Sequence, residues 1–115
     1  MDSRPPPSLF TILALVQKRP GMYVGGTDAE RTLQLDNLEM LITGYSLAVR
    51  QHGLRDAGFD VYAGFGPYLE ERLGWSMSQG PIRAIRHAAT HDAEAWDHFW
   101  RLLWEFREAN ERRVG

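Results

Sequence analysis

The chain contains no cysteine, and its only lysine is Lys18. The first absence excludes disulfides and thiolate metal sites, and it suits a reducing cytosol. The second leaves almost all positive charge to arginine, so 13 cations face 15 carboxylates and the net charge is −2. No global basic field exists to attract a phosphate backbone, which argues against a nucleic-acid binder. Long apolar runs are missing as well. The run from Leu9 to Val16 spans eight residues, well short of the roughly 18 that a membrane span requires. No small-residue cleavage site follows it, so a cytoplasmic protein is expected rather than a secreted or membrane-bound one.

What is present is the composition of an ordinary globular chain, 43% hydrophobic and 24% charged. A chain of 115 residues has room for one core, burying about two-thirds of its extended-chain surface. Residues 1–7, MDSRPPP, are polar and proline-rich and are expected to form a disordered leader, with a single domain over 8–115. Ser8 can cap a helix over 9–18, in which Leu9, Ile12, Leu13 and Val16 recur at helical spacing.

Pro20 is expected to end that helix, and Gly21, Gly25 and Gly26 to turn the chain around Met22, Tyr23 and Val24. A second helix is predicted over 34–52, with Leu35, Leu38, Leu41, Tyr45 and Val49 inward and Gly53 as its stop. Gly44 in its middle costs about 1 kcal/mol against alanine and suggests a close helix contact or a nearby ligand. Three further helices are predicted over 67–73, 81–89 and 92–112. In the last of them, Trp96, Phe99, Trp100, Leu103, Trp104 and Phe106 form a wide apolar face. The expected fold is mainly α, a compact helical bundle of about four to five helices, with a short extended segment near 22–24 or 59–63.

Several groups of residues could carry chemistry. His87, His91 and His98, with Glu94 nearby, would share one face of an unbroken helix and could ligate a divalent metal. Thr90-His91-Asp92 reads as a cap between two helices, however, which breaks that register, so neither a metal nor a cofactor is expected. Ser76 and Ser78 stand in no recognisable triad spacing. Arg72, Arg83 and Arg86 could form a small basic patch, although solvated surface is the simpler reading. The Trp96, Trp100 and Trp104 ladder could stack rings, but an aromatic stripe on an amphipathic helix is usually core.

The run KRPGMYVGGTD, from Lys18 to Asp28, resembles the opening of the ATPase domain of DNA gyrase B subunits, a family with a Bergerat-type nucleotide fold. That register places Glu39 where the family has its catalytic base, Thr43 where it has a magnesium-ligating asparagine, and Ser46 where it has an acidic residue. The family also needs an Asp-x-Gly-x-Gly turn and a glycine-rich lid. DAGFDVYAGFG and SQGP fit neither, and only 63 residues follow position 52. The departures argue against ATP hydrolysis.

Across about residues 9–107 the chain resembles small bacterial immunity-like proteins. The resemblance rests on RPGMY with its following glycine, on Gly44-Tyr45, on Phe65-Gly66-Pro67-Tyr68-Leu69, and on the run from Ala95 to Phe106, AWDHFWRLLWEF. It implies a non-enzymatic module that binds a protein partner, a cognate toxin, and occludes its active site. Arg19, Tyr23, Asp28, Glu30, Asp36 and Glu39, or else Glu70 and Glu71, are the expected partner-binding residues, their carboxylates suiting a basic toxin. The alternative from the same residues is a degenerate nucleotide- or metal-binding protein. Neither nucleic acid nor membrane is an expected partner, and a homo-oligomer is possible.

Overall fold

Ser8 opens the first helix, α1 (Leu9–Lys18), by accepting the Thr11 N–H on its hydroxyl at 3.3 Å. The structure is a computed structural model that describes residues 8–114, with side chains through Arg112. The leader expected over 1–7 lies outside the described residues. Leu9, Phe10, Leu13 and Val16 of α1 are buried, as their spacing predicts.

Pro20 does more than stop α1. It takes the first position of a one-turn helix, α2 (Pro20–Tyr23), where a missing N–H costs nothing. The expected extended piece at 22–24 is therefore helical through Tyr23, with Val24 as the cap that follows. In this tighter turn Val24 enters the core at 3% exposure, while Met22 and Tyr23 stay at the surface. Gly25 and Gly26 then lie consecutively in left-handed backbone, with φ of 73° and 69°, a pair of conformations that strains any other residue.

Helix α3 (Arg31–Gln51) starts three residues earlier than its apolar stripe suggests. Glu30 turns back so that its carboxylate accepts both the N–H and the hydroxyl of Thr27, at 3.0 and 3.2 Å, and the Thr27 carbonyl accepts the Glu30 N–H at 2.9 Å. Two side chains of α3 then hold the glycine turn in place. Gln34, fully buried, donates to the Gly25 carbonyl at 2.8 Å, and Asn37 donates to the Val24 carbonyl at 2.8 Å.

The segment 54–66 holds the largest departure from expectation. It forms α4 (Ala57–Tyr62), followed directly by α5 (Phe65–Leu73), and among the described residues there is no strand. Gly58, Tyr62, Phe65 and Leu69 are buried at intervals of four, three and four, a helical period hidden by the glycines. Asp56 is the cause of the first turn, because its carboxylate Oδ1 accepts the Phe59 N–H at 3.0 Å. Its Oδ2 accepts the Leu9 N–H at 3.1 Å. One carboxylate thus caps two helix N-termini that lie 47 residues apart in the chain.

Helices α6 (Pro81–Ala88) and α7 (Asp92–Val114) complete a mainly α, single globular domain of seven helical segments among the described residues, rather than four to five. Helix α7 is the spine. Phe99 and Leu103 are fully buried, and the Phe99 ring meets Phe65 edge-on at 6.0 Å; each such side chain contributes about 1.5–3 kcal/mol by leaving water. Trp96 and Trp100 are core residues, and Trp104, partly buried, donates its indole N–H to Gln17 at 2.7 Å. The Glu108–Arg112 pair forms at 3.5 Å on the surface, where it is worth a few tenths of a kcal/mol at most.

Two glycines inside helices make opposite demands. A Cβ on Gly58 would sit 2.7 Å from the Ser8 Cβ, whereas one on Gly44 would meet nothing within 4 Å. Among the described residues Gly44 therefore serves no close helix contact, the first of the two reasons expected for it. In urea unfolding, Gly58→Ala should cost about 1–3 kcal/mol through overpacking of the α1–α4 corner. Gly44→Ala should stabilise the protein by about 0.4–1 kcal/mol.

Candidate functional site

Helix α6 packs on α7, and its arginines tie it to α3. Arg86 donates two bonds to Asp92, Nε to Oδ1 at 3.1 Å and Nη2 to Oδ2 at 2.8 Å, and a third from Nη1 to Asp36 on α3 at 2.7 Å. Thr32, also on α3, donates its hydroxyl to Asp92 Oδ2 at 2.7 Å. The Arg86 and Asp92 side chains are 20% and 23% exposed, so the bidentate pair sits where solvent screens it less than at an open surface. The Arg86 hydrogen bonds, and secondarily that of Thr32, hold the Asp92 carboxyl below the usual carboxylate range. The bonds to Asp92, then to Asp36, raise the already basic Arg86 further.

One turn earlier, Arg83 Nε stands 3.6 Å from Glu39 Oε1, a looser pair in which Arg83 is half-exposed. Beside it opens a cleft of about 300 Å³, walled by Glu39 and Thr43 of α3, Tyr62 of α4, Gln79, and the first residues of α6. A neighbouring groove of about 530 Å³ shares Gln79 and Arg83 and continues past Trp75 and Ser76 to His87. Gly80 precedes Pro81 and offers no capping side chain. The N–H groups of Ile82 and Arg83 consequently have no partner among the described residues, and they end the helix at the cleft.

Tyr62 is 8% exposed. Burial, and then the charge of Glu39, push its ionisation well above the ordinary tyrosine value, so it remains a neutral O–H donor. Trp100 Nε1 is buried without a partner among the described residues, within the aromatic stack of α7.

Several of the residues expected to meet a partner are already engaged within the chain. Arg19 caps α1 through its own N–H to the Leu15 carbonyl, and Tyr23 is exposed at the end of α2. Asp28 is 87% exposed and lies 3.4 Å from Arg31. Glu30 is engaged by Thr27, Asp36 by Arg86 and Glu39 by Arg83, while Glu70 and Glu71 are exposed on α5. Arg83 and Arg86 are thus counter-charges to α3 rather than a basic patch. Glu39 and Thr43, two of the three positions singled out by the ATPase register, do line one cleft, which Ser46 does not reach.

The histidines are separated by the break between α6 and α7. His87 lines the larger groove, His91 Nδ1 accepts the Glu94 N–H at 3.2 Å at the start of α7, and His98 lies 3.6 Å from Glu94. Among the described residues no three His, Cys, Asp or Glu side chains come together as a metal would require. Sequence reasoning missed Tyr62 and Gln79; the one legible signal was Gly80-Pro81, a helix start with no capping side chain.

No family model matches the sequence, and no curated protein or solved structure matches it.

The depressed Asp92 carboxyl gives a pH prediction. Its contribution to stability is present above the unfolded carboxylate value of about 3.9 and is lost as pH falls through the folded one. Asp92→Asn should therefore be less stable than wild type at neutral pH by urea unfolding, and the difference should shrink below about pH 4.

Proposed function

We propose that the protein is a non-enzymatic protein-binding module of the immunity type, one that neutralises a bacterial toxin by covering its active site. The observation carrying this reading is an unpartnered apolar stripe on α3. Leu33, Met40 and Leu47 are spaced by seven and are 43%, 72% and 55% exposed, on one side of the helix by its 100° period. Met22 and Tyr23, also exposed, lie on the turn that Asn37 ties to the same helix. Exposed apolar side chains grouped in this way favour protein contact.

Charge beside the stripe suits a basic partner. Asp28 projects into solvent near the start of α3, and Asp36 is half-exposed even while bound to Arg86. These two would steer a cationic surface toward the stripe, and the apolar side chains would supply the buried centre. The seven-residue spacing, together with the open surface over Gly44, also favours a second copy of the chain as occupant. Sedimentation over a range of concentrations separates that reading from a heterologous partner.

Co-expression with the toxin-like product of a neighbouring gene should restore growth of the host cell. Met40→Glu, which places a charge in the middle of the stripe without touching the core, should abolish protection while leaving the unfolding midpoint nearly unchanged. Equal protection by wild type and Met40→Glu would remove the stripe from the binding surface, and no protection by either would remove the immunity reading.

A further inference from the structure

Helix α3 is 21 residues long, about 30 Å at the α-helical rise, and one edge of it reaches solvent from end to end. Leu33, Met40 and Leu47 form the apolar centre of that edge. Between them Asp36, Thr43 and Gly44 are exposed and Asn37 is partly so. The edge repeats every seven residues, and on a straight helix such a repeat drifts by only about 20° per heptad. That is the seam by which one long helix packs along another.

Symmetry and charge together select a second copy of this chain as the occupant, and they select its direction. Leu33 and Leu47 each lie seven residues from Met40, so the seam is symmetric about that residue. A two-fold axis through Met40, with the helices antiparallel, sets Met40 on Met40 and each Leu33 on Leu47 of the second copy. The same rotation brings Gly44 opposite Asp36. A Cβ on Gly44 would meet nothing within 4 Å inside the chain, so the glycine leaves room for the facing helix.

The two ends of the seam carry opposite charge. Asp28 and Glu30 are exposed at its start, and Arg50 and His52 are exposed at its end. Antiparallel pairing carries Arg50 toward Glu30 and His52 toward Asp28, twice over by symmetry, and it opposes the helix dipoles. Parallel pairing would instead set carboxylate against carboxylate and arginine against arginine.

We propose that the free protein is a homodimer closed by α3 against α3, antiparallel, about a two-fold axis at Met40. The apolar side chains cover one another at the centre, and the Glu30–Arg50 contacts fix the direction at both ends. The proposal concerns the chain without a toxin and stands apart from the immunity reading; a partner that used the stripe would displace the second copy.

Sedimentation equilibrium of the full chain, from micromolar to millimolar concentration, should show monomer and dimer in exchange. Met40→Glu should weaken the dimer at least about tenfold, and Arg50→Glu about threefold or more at low salt. Circular dichroism of both variants should retain the wild-type helical signal. Because the wild type has no cysteine, Ala29→Cys and Gln51→Cys, both exposed, report the direction. A short bismaleimide should link position 29 to position 51 when the two variants are mixed, and neither variant alone should link to itself. A monomer at every concentration would overturn the proposal, while leaving protection of the host cell to be read separately. A dimer indifferent to Met40→Glu, or linkage of 29 to 29 and 51 to 51 in place of 29 to 51, would overturn it as well.

Discussion

Arg86 is the side chain through which three helices are held at fixed relation. It reaches Asp92 with two parallel bonds and Asp36 with a third, so α6, the start of α7 and the second turn of α3 share one charge network. Removing the cation would leave two carboxylates facing each other, and removing Asp92 would leave a mostly covered guanidinium short of two acceptors. Paired hydrogen-bonded charge of this kind is costly to break from one side. Because α6 is only two turns long, its own propensity and its two fully inward residues, Ile82 and Ile85, would not by themselves define its angle.

The cleft at the start of α6 and the exposed apolar stripe of α3 depend on that placement. With α6 tied to α3 through Arg86 and Arg83, Glu39 and Thr43 of α3 line one cleft with Tyr62 and the uncapped start of α6. Along the next edge of α3, uncovered by any helix among the described residues, Leu33, Met40 and Leu47 reach solvent. One helix therefore presents a buried face, a charged seam and an apolar stripe in succession around its circumference. At the far corner, Asp56 plays a part like that of Arg86 by bonding the first N–H groups of α1 and α4, and Gly58 permits the approach.

Much of the helical framework was legible in the sequence where periodicity and punctuation agreed. The Ser8 cap, the apolar spacing of α1, the glycine stops at Gly53 and Gly74 and the aromatic face of α7 each point to one local answer. Residues 54–66 were not legible because three glycines weaken helix propensity, and the compensating cap by Asp56 also depends on an N–H from residue 9. The burial of Val24 instead of Met22 and Tyr23 turns on whether Pro20 ends a helix or begins one, which proline permits equally. The carboxylates of Asp36 and Glu39 looked free in the sequence, since the arginines that engage them lie 50 and 44 residues away. Long-range charge pairing of this kind leaves no local pattern to read.

Native-state hydrogen exchange of Arg86→Met tests most directly whether Arg86 fixes α6. Hydrogen bonds to charged groups are worth about 1.5–3 kcal/mol each, so amides of α6 should lose protection about tenfold or more beyond any global loss, while those of α1 and α4 follow only the global change. Uniform loss across all helices, or unchanged protection in α6, would contradict the claim that this one guanidinium builds the cleft.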